Sequence, residues 1–306
     1  MLPPSPLFEP LSRFLERVAQ LRLARVSVTA RCTRALRMKD PVCAVVRGLA
    51  GEHLRELRCI TRAPSCDGCT ETGACDYART FGAQPEAGDR EVRPYWLAGV
   101  PATHDLAPGA TFSASITTVG DASRLGPYLD VALRDALRRL GSEDDGGFDV
   151  RVVLGASRLE APSLDVRPRD AERLRLVAQT PLLLRGDLGA CQAACPAAPW
   201  LALLVRAGIR RLDALLGLVD GTEQPRVAFP DLADVRVVHG RMVPWSDSRW
   251  SGRQGRRFPL VGYAGEATVE GSQLREVLPL LSALAESSVG RKTTMGFGWL
   301  TIDTPT

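Results

Sequence analysis

The sequence predicts an α+β fold built from two tandem ferredoxin-like (RRM-like) units, each with the element order β-α-β-β-α-β. Short segments in which apolar and polar residues alternate have the period of strands. Four longer segments repeat apolar residues every three or four positions, which is the period of an α-helix. The same order of elements occurs twice in 306 residues, a length that suggests about two domains. We therefore expect an N-terminal domain over 1–165 and a C-terminal domain over 166–306.

Four strands and two helices are predicted in the first unit. Pro41 marks the start of the first helix, because proline is favoured at the first helical position. The second helix carries a leucine stripe from Leu125 to Leu140. The elements are a strand over 21–36, a helix over 42–57, strands over 95–100 and 111–119, a helix over 123–140 and a strand over 148–154.

The second unit repeats this order after a boundary near 162–168. No long low-complexity linker separates the halves, so we expect them to pack closely. Its elements are a strand over 174–184, a helix over 199–219, strands over 235–243 and 260–269, a helix over 272–286 and a closing strand over 297–302.

Charge is unevenly distributed along the chain, although the net charge is only +4. Residues 22–62 contain ten cations against three acids, and residues 236–258 contain six arginines against one acid. A local basic field attracts phosphate groups. The alternative is a solvated basic face without a partner.

The composition excludes a disordered chain, since 45% of the residues are hydrophobic and 24% are charged. Residues 1–20 lack the basic and apolar regions of a signal peptide. No window of about 18 apolar residues predicts a transmembrane helix. We therefore expect a cytoplasmic protein, in which cysteines are normally reduced.

Four cysteines fall close together in a predicted insertion over 59–80, and two of them form a CxxC turn. Four thiolates can complete a tetrahedral zinc site, and such a site would be structural because no ligand position stays open. An iron–sulfur cluster, or free or redox-active cysteines, are the alternatives. The predicted ligands are Cys59, Cys66, Cys69 and Cys75.

Glycines, cations and hydroxyls concentrate in the tail segment over 289–300, between a predicted helix and the closing strand. Glycine permits close backbone approach to a ligand, and Arg291 and Lys292 supply positive charge for phosphate. The segment is not a nucleotide-binding P-loop, because the Gly-Lys-Ser/Thr ending and the following helix are absent. The tail therefore predicts a loop that lies against an anionic backbone.

A second basic segment over 245–257 mixes arginine, tryptophan and glycine. Aromatic faces stack on bases, and arginine pairs with phosphate or stacks in the same way. The alternative is a solvated loop whose tryptophan folds onto the core. Beside the first basic cluster and the tail, the pattern favours nucleic-acid contact.

Acid–base chemistry has few candidates, because the chain contains three histidines. His53 lies on the first helix between Arg47 and Arg55, where it could move a proton during attack of a ribose 2′-OH on the adjacent phosphodiester. A histidine on the helix surface is the alternative reading. His104 lies on a turn-rich loop and His239 in a strand, and neither position indicates catalysis.

Five stretches together resemble a known family, the CRISPR-associated endoribonucleases of the RAMP superfamily that process precursor crRNA. The cysteine block and the tail are the more specific of them. The stretches are Arg47-Gly48-Leu49-Ala50-Gly51 leading to His53, the cysteine block over 59–78, the arginine stretch over 251–257, the glycines over 262–271 and the tail over 290–298.

This resemblance implies two tandem ferredoxin-like domains with a cleft between them and the glycine-rich loop near that cleft. It also implies metal-independent transesterification that leaves a 2′,3′-cyclic phosphate, with His53 as the matching acid–base residue. In relatives the histidine often follows the glycine directly, whereas Glu52 intervenes here. Tyr263 and Lys292 are further catalytic candidates.

The resemblance leaves two functions to distinguish: a repeat-specific endoribonuclease and a non-catalytic crRNA-binding subunit of a CRISPR effector complex. Repeat RNA is the implied partner in both, other CRISPR effector subunits are further candidate partners, and no catalytic metal is expected. RNA contact is assigned to Arg47, Arg55, Arg249, Arg253, Gln254, Arg256, Arg257, Gly290, Arg291, Lys292, Thr293, Gly296 and Gly298.

Overall fold

A computed structural model describes residues 8–63, 65–66, 68–82, 92–140, 152–167, 171–185, 198–221, 225–251 and 255–304. The elements of the first half, in chain order, are α1 (Leu11–Ala19), β1 (Leu23–Cys32), β2 (Leu36–Arg37), α2 (Val42–Arg58), α3 (Asp76–Thr80), β3 (Tyr95–Ala98), β4 (Asp105–Leu106), β5 (Thr111–Val119), α4 (Gly126–Arg138) and β6 (Val152–Glu160). Those of the second half are β7 (Arg173–Leu182), α5 (Pro199–Asp220), β8 (Arg236–Ser251), β9 (Arg256–Glu270), α6 (Leu274–Ser287) and β10 (Leu300–Asp303).

Each half contains a four-stranded antiparallel sheet. The strand order is β3-β5-β1-β6 in the first sheet and β10-β7-β9-β8 in the second. In both sheets the first strand of the unit lies between the third and the fourth, as the β-α-β-β-α-β pattern requires. The predicted α+β class with antiparallel sheets is therefore confirmed. The short pair β2–β4 and helices α1 and α3 were not predicted.

The arginine-rich segment over 245–257, which lies between two predicted strands, is itself mostly strand. β8 and β9 form one long hairpin in which Trp250 pairs with Arg257 and Ser248 pairs with Pro259. Gly255 has φ +58°, a conformation that glycine adopts without steric cost next to the turn. Aromatic residues such as Trp245, Trp250 and Phe258 favour strands, and the segment extends the ladder between β8 and β9.

The tail differs from the prediction in the opposite direction, because its strand begins at Leu300 and not at Phe297. Residues Thr293–Met295 form a 3-10 turn, and Gly296 and Gly298 have φ values of +87° and +80°. Strand geometry requires negative φ, so these glycines delay the strand.

Two clusters of buried apolar side chains form the core, and both cross between the halves. The first joins Trp96 of β3 and Phe14 of α1 to the leucines of α5 and α6. The second joins α2 and α4 to Leu260 of β9 and Phe297 of the tail. The expectation that the halves pack closely thus has a physical basis in shared apolar burial.

Helix α1 packs on the second half, although it precedes the first sheet in the chain. The backbone of Glu9 bonds to Arg226 and Ala228, and α1 contributes Phe14 to the cluster around α5. The boundary predicted near 165 falls between the end of β6 and the start of β7. This boundary remains a prediction. Helix α1 precedes it in the chain but packs on the second half.

The C-terminus of α6 is the main polar junction between the halves. Trp96 Nε1 donates to the carbonyl oxygen of Glu286 at 3.0 Å, and Arg25 forms an ion pair with the Glu286 carboxylate at 2.8 Å. Arg211 of α5 donates to the carbonyl oxygen of Ser287 at 3.1 Å. The last carbonyls of a helix lack partners inside the helix and carry partial negative charge, so these donors satisfy them.

Gly298 is expected to tolerate no side chain. An added Cβ would lie 1.9 Å from the carbonyl oxygen of Val289, whereas at Gly109, whose φ is nearly the same, it would meet nothing within 4 Å. Positive φ costs about 1–2 kcal/mol for a non-glycine residue at both sites, and overpacking adds about 1–3 kcal/mol at Gly298 alone. Urea unfolding of Gly298→Ala and Gly109→Ala measures the difference; equal losses would contradict the packing of the tail.

Candidate nucleic-acid interface

The β8–β9 hairpin contacts the first half through His104 and through the residues that precede α2. His104 Nε2 lies 2.8 Å from Asp247 Oδ2, and its Nδ1 lies 3.3 Å from the carbonyl oxygen of Met38. The backbone N–H of Trp250 donates to Asp40 at 2.9 Å, and Arg257 lies 3.8 Å from the same carboxylate. These contacts hold the arginine-bearing end of the hairpin beside the N-terminus of α2.

Two arginines from different halves act electrostatically on each other near this junction, where the Asp40 carboxylate partly offsets their repulsion. Arg47 of α2 donates to the hydroxyl of Tyr95 at 3.2 Å, and its guanidinium lies 5.9 Å from the Phe81 ring centroid. Burial and the positive charge of Arg47 lower the pKa of Arg249. The buried Nε of Arg249 has no hydrogen-bond partner among the described residues. A partly buried pair of guanidiniums of this kind favours an anion such as phosphate.

The glycine-rich tail lies at the same junction, but its glycines pack against protein. A Cβ on Gly296 would lie 2.7 Å from Cβ of Cys43 in the first turn of α2, and the backbone of Gly298 bonds to Pro181 and Val289. Thr293 is 4% exposed. Predicted RNA contact at the tail therefore depends mainly on the half-buried Arg291 and Lys292.

His53 lies towards the other end of α2. Its Nδ1 is 3.1 Å from Glu56 and 3.4 Å from Asp135 of α4. Ten residues separate it from Cys43, which corresponds to about 15 Å along the helix axis. The structure thus gives His53 two carboxylate neighbours but places it away from the helix turn that meets the tail.

The remaining predicted residues are dispersed. Tyr263 lies on β9 opposite Leu182 and is half-buried against the core of the second half. Arg256 stacks over Phe258 with a guanidinium-to-centroid distance of 4.6 Å, and Arg55 donates to the carbonyl oxygen of Ala63 beside the cysteine loop. Arg253 and Gln254 lie outside the described residues.

The four predicted metal ligands lie around one small cavity, which also contacts Arg55 and Tyr77. All four are free thiols. As the side chains lie, no three histidine, cysteine, aspartate or glutamate side chains of the described residues come close enough together to hold a metal ion. The ligand set Cys59, Cys66, Cys69 and Cys75 therefore remains a prediction.

An open groove of about 750 Å³, measured for the centres of water-sized spheres, separates the two sheets on another face. Arg25 is its one lining cation among the described residues, and that arginine is paired with Glu286. Asp165 and Asp303 add negative charge. Coulomb repulsion makes this groove less suited to phosphate than the hairpin junction.

Sequence reasoning missed His104, Asp247 and Asp40 as parts of the junction. His104 and Asp247 are separated by 143 positions, so no local spacing connects them. An isolated histidine on a turn gives no signal of its partner. The arginine density around Asp247 was the one available indication that this region is important.

The pair of His104 and Asp247 should make stability depend on pH. The hydrogen bond to Asp247 raises the pKa of His104 above its ordinary 6.5, with Asp40 adding to the effect. Stabilisation is therefore complete below about pH 6.5 and is lost as pH rises through the higher folded-state pKa. Because the side chain is partly exposed, we expect less than about 1 kcal/mol.

Thermal unfolding of the wild type and His104→Gln between pH 5.5 and 9 measures this dependence. The difference in melting temperature should shrink as pH rises. His239→Gln, at an exposed position on β8, is the control and should show no such trend. A pH-independent difference for His104→Gln would refute the charged pair.

Family models match nearly the whole chain in two parts. A model described as AF_1859_N, N-terminal domain, matches residues 21–177. A model described as the CRISPR-associated endoribonuclease Cas6 matches residues 176–300. No curated protein sequence is similar enough to count as a match.

The chain is also similar to several solved structures at low sequence identity. Thermus thermophilus Cas6 is 17% identical, with 93% of this chain and 100% of that chain covered and a TM-score of 0.47. A Cas6-related protein from Pyrococcus furiosus is 10% identical, with 94% and 100% covered and a TM-score of 0.43. A chain of a partial Cas6-RT-Cas1–Cas2 complex is 10% identical, with 93% of this chain and 46% of that chain covered and a TM-score of 0.50.

Because the chain of the Cas6-RT-Cas1–Cas2 complex is only 10% identical, its similarity to this chain shows a shared fold alone. None of the helices in the described part of the chain combines the length and apolarity needed to cross a membrane. The matched models meet at the point where β7 begins, so each half of the molecule carries its own match. The chain belongs to the CRISPR Cas6/RAMP-type family.

Proposed function

We propose that this protein binds CRISPR repeat RNA and cuts it by metal-independent transesterification. The ribose 2′-OH would attack the adjacent phosphorus, losing its proton to a base. The P–O5′ bond would break, and the leaving 5′-oxygen would gain a proton. The products would be a 2′,3′-cyclic phosphate and a 5′-hydroxyl.

The buried Nε of Arg249, which has no hydrogen-bond partner among the described residues and lies within the positive field of Arg47, is the observation that carries this proposal. The two guanidiniums come from different halves, and one has a buried Nε without a partner among the described residues. Like charges close together are unfavourable, and Asp40 offsets this repulsion only in part. A phosphodiester would supply a further anion, whose oxygens would accept hydrogen bonds from the guanidinium fork.

The RNA backbone would continue along the hairpin and towards the tail. Arg256 and Arg257 begin β9, and Trp250, which is 49% exposed, offers a face for base stacking. Arg253 and Gln254, which lie outside the described residues, precede them in the chain and are proposed as further RNA contacts. Arg291 and Lys292 of the tail would contribute further phosphate contacts. Thr293 and the glycines 290, 296 and 298 lie beside them in the chain and are proposed as RNA contacts as well.

His53 is the proposed acid–base residue. Its Nδ1 faces the carboxylates of Glu56 and Asp135, an arrangement that holds the proton on Nδ1 and leaves Nε2 to exchange a proton with RNA. Lys292 would stabilise negative charge on the phosphate, and Tyr263 would help to orient the substrate. His53 lies about 15 Å along α2 from Cys43, where the tail contacts this helix. An RNA that reaches both His53 and the tail would therefore have to extend along α2.

That separation also favours a second candidate function. A non-catalytic crRNA-binding subunit of a CRISPR effector complex would need the arginine junction but no histidine near it. One matched structure is a complex of Cas6-RT-Cas1 with Cas2, and we propose other CRISPR proteins as partners here as well. The tandem ferredoxin-like fold supports either function.

Cleavage of the cognate repeat RNA in EDTA tests the first function. We expect one cut, with a product whose mass is lower by one water than that of a linear phosphate. His53→Ala should slow the reaction by about 100-fold or more, because acid–base catalysis contributes that much. His239→Ala is the matched control and should cut normally. Tight binding without any cut would support the crRNA-binding subunit.

RNA affinity measured against salt tests the arginine junction. Arg249→Ala should weaken binding by about tenfold and lower the slope of log K against log salt by about 1, since one phosphate contact is lost. Arg236→Ala is the control, because Arg236 lies at the other end of the same hairpin and pairs with Glu270. Equal effects of the two variants would refute a specific phosphate site.

A further inference from the structure

The cysteine loop that follows α2 contains a tight turn that brings Cys66 and Cys69 together. Cys69 N–H donates to the carbonyl oxygen of Cys66 at 3.3 Å, and Gly68 has φ +75°, which permits the tight bend. The hydroxyl of Thr72 donates to the same Cys66 carbonyl at 3.3 Å and to that of Cys69 at 2.6 Å. The turn is therefore fixed by its own hydrogen bonds.

The other two cysteines approach this turn from the ends of two helices. Cys59 directly follows α2, and Cys75 directly precedes α3. The hydroxyl of Thr61 lies 3.7 Å from Sγ of Cys59 and 3.6 Å from Sγ of Cys69, so these sulfurs flank one small group. All four cysteines line one cavity.

The size and the donor chemistry of this cavity match one small ion. The volume open to the centre of a water-sized sphere is about 10 Å³, which is about the room that a single water or ion needs. Four thiols are the ligand set of structural zinc sites. Arg55, also on the cavity wall, would offset part of the negative charge of four thiolates.

We propose that Cys59, Cys66, Cys69 and Cys75 bind one zinc ion. Binding requires the four side chains to close inward from their present positions, displacing the Thr61 hydroxyl from between two of them. The ion would be structural, because four thiolates leave no coordination position open. This assignment does not depend on RNA cleavage.

The zinc would position the arginine junction through a stack of rings. α3 begins right after Cys75. It contains Tyr77 and is followed directly by Phe81, and the centroids of the two rings are 6.2 Å apart. Phe81 stacks on Tyr95 at 4.1 Å, and both rings contact Arg47. Fixing Cys75 therefore fixes the wall against which the Arg47 side chain lies.

Metal analysis of the purified full chain tests the site. We expect about one zinc per chain, because the four thiolates of a Cys₄ site share one ion. The double variant Cys66→Ser/Cys69→Ser should lose the ion. Cys32→Ala is the control, since it removes a buried thiol outside the loop and should retain zinc. A wild-type chain that neither retains zinc nor takes it up from added zinc salt would overturn the proposal, as would bound iron in its place.

Hydrogen exchange provides a second readout that does not require the double variant to fold fully. Amides of Arg79, Phe81 and Gly82 donate to carbonyls of Cys75 and Tyr77 and report on α3. Adding a strong chelator to the wild type should accelerate exchange over 76–82 and leave α4 unchanged. Chelation without any change there would show that no ion supports α3, which would also refute the proposal.

Discussion

The contacts at the C-terminal end of α6 set how the two halves of the molecule pack against each other. Its last carbonyls receive an indole N–H and a guanidinium from opposite halves, and a neighbouring side chain pairs with Arg25. Arg211 is 5% exposed, and burial lowers its pKa to about 9. Among the described residues Arg211 forms no ion pair with an acid, and the partial negative charge of the helix end and the Trp96 ring, whose centroid lies 5.5 Å away, compensate its charge.

The second polar junction, at the hairpin, depends on the first. Apolar burial across the halves and the α6 contacts fix the orientation of the sheets, and only then can Asp247 meet His104 and Asp40 meet the Trp250 backbone. The arginines of α2 and β8 are brought together as a result. The anion site proposed at Arg47 and Arg249 would thus be a property of the assembled halves, because the two arginines come from different halves.

The sequence predicted the secondary structure well where periodicity is long and uninterrupted. Helix α5 was expected over 199–219 and occupies Pro199–Asp220, because its thick apolar stripe permits one assignment. The end of the hairpin was not predicted as strand, because glycine and serine between arginines are compatible with irregular backbone until cross-strand pairing is known. Helix α1 was missed since its role depends on α5, a distant partner.

The candidate site was predictable in composition but not in arrangement. Clustered arginines and cysteines are visible in the chain, and the structure places the cysteines around one cavity. Which histidine meets which carboxylate depends on contacts between residues far apart in sequence, as with His104 and Asp247. The packing of Gly296 against Cys43 could not be foreseen for the same reason, since glycine in the tail was equally compatible with a ligand.

The long sequence separation at α6 has a consequence for synthesis of the chain. Both partners of the first half belong to Glu286. Its carbonyl, which accepts from Trp96, is synthesised 190 positions later, and its carboxylate, which pairs with Arg25, follows Arg25 by 261 positions. At about 5–20 residues per second, the indole stays without its partner for roughly 10–40 s. The nascent first half therefore exposes apolar surface on the ribosome, and a chaperone that shields it would raise the yield of folded protein.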